Sequence, residues 1–342
     1  MKTRHLVLGL AILIMIFSSC REITIRTTVN SDGSFTRIIT ISGDSSDVFK
    51  KELPYPIDTT WKMTSRKDTA DKKKFIVFYT KRFKNCDELK TEIGQDTSWF
   101  RQLVRSIDIR KRFGFFYSYV EYKEIYSKAN PFTALDYKKY LTPEEIFWLT
   151  RKHPIQRPSD SIKSKEAEDK TMTYLIESAT AVVEKILADG ILKLNDPRLD
   201  ARKVPEFRDS IRNALSKGNF KDAGVLIDSM RIWTGNGNFD RLKEIQPPLF
   251  GGFNRKLKFL ENLIGMENFH IEAEMPGLIT ATNSSVLSGN RVSWEIFPMA
   301  FLLEDYSMTV ESRVINVWAF VISGLILLGL VGLLVVKSLK RS

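Results

Sequence analysis

Apolar and polar residues alternate along Glu22–Val29 and again along Phe35–Ile41, with Asn30-Ser31-Asp32-Gly33 between them. Period-two alternation on both sides of an Asp-Gly turn predicts an antiparallel hairpin. Pro54, Pro56 and the polar residues to Lys73 read as a loop, and Phe75–Tyr79 as the next strand. Cys86 to Ile93 fits a short helix. Phe113–Tyr126, FGFFYSYVEYKEIY, is rich in aromatic, β-prone residues and reads as a long strand or hairpin arm. The period changes after about residue 130. Thr142-Pro143-Glu144-Glu145 is a helix start, with Thr142 as cap and Pro143 in the first turn. Met172, Leu175, Ile176, Ala179, Val183, Ile186 and Leu187 recur at helical spacing, and Gly190 is expected to stop that run. Further helices are expected around Val204–Leu215, ended by Gly218, around Phe220–Met230, and around Leu257–Ile264. Alternation then returns in Phe269–Met275, in a hairpin over Val286–Ile296 turning at Ser288-Gly289-Asn290, and in Ser307–Glu311.

Two apolar runs fall outside both periods. Leu6 to Phe17 follows Lys2 and Arg4, is too short to span a bilayer, and leads into Ser18-Ser19-Cys20, the layout of a secretory signal. Phe17-Ser18-Ser19-Cys20 also resembles the bacterial lipobox, which implies lipidation at Cys20; Phe17 stands where Leu is commoner. Val314 to Val336 is 23 residues without a charge, enough for about 30 Å of hydrocarbon. Trp318 sits at its outer edge, where an interfacial aromatic is favoured, and Lys337, Lys340 and Arg341 follow it. The positive-inside rule places that tail in the cytoplasm and residues 21 to 313 outside it. The alternative, a tail exchanged for a glycolipid anchor, fits poorly because such tails end in the apolar run itself.

The expected organisation is therefore α+β. Residues 1–19 are a signal, 20–131 and 266–313 form one membrane-proximal antiparallel β-region from early and late strands, and 132–265 are a helical insertion projecting from it. Residues 314–336 are the transmembrane helix and 337–342 a cytoplasmic tail. The address is the bacterial cytoplasmic membrane, with the ectodomain on the periplasmic or extracellular side.

Charge changes this picture little. Of 52 Lys and Arg, five lie in the signal and tail; the 47 that remain face 41 Asp and Glu, a net charge near +6. That excess suits anionic headgroups and is no nucleic-acid signature. Lys72-Lys73-Lys74 and Arg110-Lys111-Arg112 are the densest basic runs and read as solvated loops flanking strands. With Cys20 lipidated, Cys86 has no partner for a disulfide and reads as a small buried residue.

A phrase late in the chain, Met275-Pro276-Gly277 through Asn283 and then Ser288-Gly289-Asn290-Arg291-Val292-Ser293-Trp294, is similar to one near the end of the β-rich domain of LppM-like bacterial lipoproteins. The resemblance implies a lipid-anchored β-rich ectodomain followed by a C-terminal transmembrane helix. The long helical block departs from it. It brings no catalytic residues. Physically, Pro276-Gly277 turns the chain, Gly289-Asn290 permits a positive-φ turn, and Trp294 anchors a core.

Candidate chemistry is sparse. The three histidines are His5, His153 and His270, and the chain has no HExxH, phosphate-loop or GxSxG motif. Gly235-Asn236-Gly237-Asn238 with Asp240 only loosely imitates a calcium loop. No catalytic residue, metal ligand or cofactor is assigned, and the ligand-binding residues stay open. The expected function is a non-catalytic, lipid-anchored envelope protein that contacts membrane lipids and binds or helps assemble a membrane or exported protein partner, without nucleic acid. The alternatives are a lipid or glycan binder and an envelope hydrolase using carboxylates.

Overall fold

The computed structural model describes residues 21–49, 55–69, 71, 73–96, 99–150, 157–217 and 223–339. Cys20, His5, His153, Gly218, Phe220, Lys340 and Arg341 lie outside these residues, and the lipidation at Cys20 with them. The fold is α+β with two sheets and a C-terminal apolar helix. The chain divides into two compact units: a β unit of residues 21–126, 269–295 and 307–342, and a helical unit that includes 127–268 and 296–306.

In the β unit, β1 (Glu22–Val29) and β2 (Phe35–Asp44) form the expected hairpin, with Gly33 at φ +90° in its turn. Both strands bury alternate residues. They lie within a seven-stranded sheet with β3 (Lys62–Lys67), β4 (Lys74–Phe83), β7 (Phe269–Glu274), β9 (Val286–Ser288) and β10 (Arg291–Ile296), in the order β3-β4-β2-β1-β7-β10-β9. The second sheet has β5 (Arg105–Phe113), β6 (Tyr117–Tyr126), β11 (Tyr306–Ile315) and β8 (Leu278–Thr282), in the order β5-β6-β11-β8. Early and late strands thus share both sheets. A short helix, α1 (Cys86–Gly94), is capped by Asn85, whose side chain accepts from the Asp87 and Glu88 amides.

Three expectations change here. The pairing of β1 with β7 is parallel, not antiparallel: Ile23 faces Phe269 and Thr28 faces Glu274. A hairpin forces antiparallel strands, whereas the long connection between these two leaves the direction free. The stretch read as a loop contains β3, whose residues KMTSRK are exposed throughout. An edge strand with neither face buried carries no apolar alternation, and its Lys and Arg residues discourage pairing with other chains. Lastly, the C-terminal apolar helix does not start at Val314. Val314 and Ile315, both β-branched, complete β11, and the C-terminal helix begins at Val317.

In the helical unit, α2 (Pro143–Leu149) starts with a complete capping box between Thr142 and Glu145. Next comes α3 (Pro158–Leu194), 37 residues and about 55 Å long. Gly190 does not end it. A Cβ at this glycine would lie 2.7 Å from Leu249 Cδ2 and 3.0 Å from Leu242 Cδ2, so its role is to admit those side chains. The helix ends instead at Asn195, in the left-handed region at φ 48°. The remaining helices are α4 (Arg208–Ser216), α5 (Ala223–Thr234) and α6 (Gln246–Ile264).

Candidate membrane interface

The C-terminal helix α7 (Val317–Leu339) grows directly out of β11. Its Val317–Lys337 segment has 21 residues, about 31 Å, is apolar enough to cross a membrane, and is almost uncovered by the rest of the protein. This suggests membrane association.

One side chain holds the strand-to-helix junction. Asn316 Nδ2 donates to Gly114 O at 2.7 Å and Phe115 O at 3.1 Å, and its Oδ1 accepts from Ser118 Oγ at 3.0 Å. Its backbone N–H donates to Phe116 O at 2.9 Å, and its carbonyl accepts from Ala319 N at 3.0 Å. The tip of the β5–β6 hairpin is therefore fastened to the first turn of α7. Aromatic rings continue the contact: Phe113 stacks on Trp318, Phe115 meets Trp318 edge-on at 5.4 Å, and Phe116 and Tyr117 lie 4.9 and 6.0 Å from Phe320. On the outer face behind the tip, Arg112 lies over Tyr119 and Arg313 over Tyr117. Arg110 ion-pairs with Asp108, and Arg112 with Glu311. Trp318 stands at the helix start and Lys337 in its last turn; Val336 lies within it.

The interior of the β unit holds charge. Arg37, fully buried on β2, ion-pairs with Glu124 on β6. Its guanidinium also donates to Thr27 Oγ1 at 3.0 Å and Tyr55 Oη at 3.1 Å, and the Tyr122 hydroxyl donates to Glu124. Burial opposes the charge on Arg37, but Glu124, Tyr55 and Tyr122 outweigh it and hold its pKa well above the ordinary value. Burial first, and then the Glu124 carboxylate, push the Tyr122 phenol far up. A second buried pair, Arg105 with Asp96, flanks the Tyr55 ring. This arrangement is closed to substrate and ties the inner faces of the two sheets together. It was readable in outline. In FTRIITI the core-facing residues are Phe35, Arg37, Ile39 and Ile41, so the alternation itself puts an arginine on the apolar face, and likewise Glu124 between Tyr122 and Tyr126.

The late phrase is structural at each step. Gly277 has φ +80°, and a Cβ there would lie 2.4 Å from Arg313 O. Asn290 Nδ2 donates to Met275 O at 2.9 Å. Asn283 Oδ1 accepts from Trp294 Nε1 at 3.0 Å and from Thr309 N at 2.9 Å. The buried Trp294 is held from β8's end, not offered to a ligand. Asn236 bonds Asn238 and Arg198, while Asp240 pairs with Arg231 and Lys243, so the stretch leads into the 3-10 helix Gly237–Ile245 with its carboxylate occupied. Among the described residues no group of three or more His, Cys, Asp and Glu is placed to hold a metal ion. Cys86 is half-buried, and burial raises its thiol pKa, which disfavours the nucleophilic thiolate.

No protein-family model matches the chain, and no curated protein sequence matches it. Among solved structures, the NMR structure of the folded domain of Mycobacterium tuberculosis LppM aligns with 86% of this chain and 91% of that chain, at 7% identity and a TM-score of 0.27. The likeness is weak and purely structural.

Proposed function

We propose that this protein is a non-catalytic, membrane-anchored envelope protein that binds, or helps assemble, a membrane or exported protein partner. It is lipidated at Cys20, resembles LppM-like lipoproteins in layout, and crosses the bacterial cytoplasmic membrane once through α7, with residues 21–316 on the periplasmic or extracellular side. The observation that carries the reading is the junction at Asn316, where a bare apolar helix of spanning length is bonded to a β unit whose own ionic core is sealed. Such a unit serves as a rigid base.

The helical unit supports the partner half of the proposal. Val225 and Ile232 on α5 are both exposed, and seven residues apart they lie on one helix face. These two uncovered apolar side chains, with the polar Asp228 and Ser229 between them, offer contact points for a protein partner. The test is a crosslinked pull-down of the full chain from detergent-solubilised membranes, comparing wild type with Val225→Asp/Ile232→Asp. A stoichiometric partner lost in the variant is the expected result; no protein partner with the wild type overturns the reading.

A further inference from the structure

We infer that the tip of the β5–β6 hairpin, Phe113 to Phe116, is a second membrane-contact element that sits in the interfacial layer of the phospholipid leaflet entered by α7. The inference rests on the reading that α7 spans the membrane and goes beyond it, because a spanning helix does not require the β unit itself to touch lipid.

Depth is the first argument. The tip backbone is bonded to Asn316, immediately before the helix, so it stands at the level of the helix's first turn. Phe320 lies three residues into α7, about 4.5 Å along its axis, and still packs on Phe116. Wherever Val317 enters the apolar phase, Phe115 and Phe116 are within a few ångströms of the same plane. Exposure is the second argument. Despite packing on one another, Phe113, Phe115, Phe116, Trp318 and Phe320 keep 65, 51, 40, 46 and 45% of their surface exposed. Five rings left half-bare at the foot of an apolar helix form a patch that water disfavours, and an interfacial layer is where aromatic rings are most at home.

The third argument is what stands behind the rings. One step back on the outer face, Tyr117 and Tyr119 carry Arg313 and Arg112 over their rings at 4.5 Å and 4.6 Å. Arg110 and Arg112 are exposed, with Asp108 and Glu311 as their acidic neighbours and Glu121 opposite Arg110 in the strand pair. Apolar rings at the tip, then Tyr and Arg a few residues back along the strands, follow the order of an acyl boundary and its headgroups.

The test uses the full-length chain with Cys86→Ser, reconstituted into phosphatidylcholine vesicles that carry nitroxide lipids at shallow or deep positions. A fluorophore is attached after Phe115→Cys, Lys123→Cys or Leu328→Cys, and the labelled parent chain supplies the background. Lys123 lies eight residues further along the hairpin from Phe115, about 25 Å at strand spacing, and is exposed. The expected result is several-fold stronger quenching at position 115 than at 123 by the shallow nitroxide, with position 328 quenched most by the deep one. Quenching at 328 with position 115 no different from 123 overturns the hairpin contact and leaves the span standing. Absence of quenching at all three positions overturns the span and the hairpin contact together.

Discussion

At the scale of single residues, the most consequential choice in the β unit is an ion pair where an apolar pair would fit. Arg37 is fully buried, so removing its carboxylate partner strands a charge in the core. Glu124→Leu is expected to cost about 3–5 kcal/mol, while Arg37→Met combined with Glu124→Leu costs less than the single change, because the double variant leaves no unpaired charge. Chemical unfolding of the three chains in mild detergent checks the order. The neighbouring phenols supply a pH signature. Tyr55 and Tyr122 have folded pKa values raised, first by burial, above the value near 10 of an unfolded chain. A raised phenol favours the protonated, folded form. Its contribution is complete below about pH 10 and is lost as pH rises from there towards the folded pKa. Stability should therefore fall in alkali, and phenolate absorbance from these residues should appear together with loss of β circular dichroism, not before it.

At the scale of elements, the glycine in α3 shows how one residue type serves opposite purposes. Near the end of a helical run Gly reads as a terminator. Gly190 instead lies four residues before the end and lets Leu249 and Leu242 approach the helix backbone. Gly190→Leu should overpack this contact and destabilise the helical unit by about 1–3 kcal/mol, measured as a lowered unfolding midpoint of the full chain. Gly277 makes the same kind of space in the β unit with the added demand of a positive φ. Asn316 decides another boundary. Hydropathy alone extends the span back to Val314, yet the strand persists to Ile315 because β-branched side chains suit it and the hairpin tip accepts the Asn316 bonds.

At the scale of the whole molecule, the chain leaves the β unit after residue 126 and re-enters it at 269, so helices interrupt a sheet whose strands β1 and β7 pair in parallel. The final strand then becomes the apolar helix after a single residue. In the proposed topology the sheets lie outside the cell's cytoplasm and residues 337–342 within it. With Cys86→Ser as background, Lys123→Cys should react with a membrane-impermeant maleimide in intact spheroplasts, and Lys340→Cys only after permeabilisation. The reverse pattern refutes the orientation.

Fold class, most strands and the helical block followed from periodicity, because burying one face of an element leaves its period in the sequence; the apolar helix followed from an unbroken run of uncharged residues. Thr142 as a cap was legible for a different reason: the bonds it makes with Glu145 are completed within four consecutive residues. β3 left no such trace, since an exposed edge strand buries nothing. The direction of β1 against β7, the leucines that face Gly190, and the fastening of the hairpin tip to α7 all join residues far apart in the chain. Arg37 and Glu124 stand between these cases. Each one's inward position is written in its own strand, but that they meet is not, because a local pattern says which side a residue faces and only packing says what it faces.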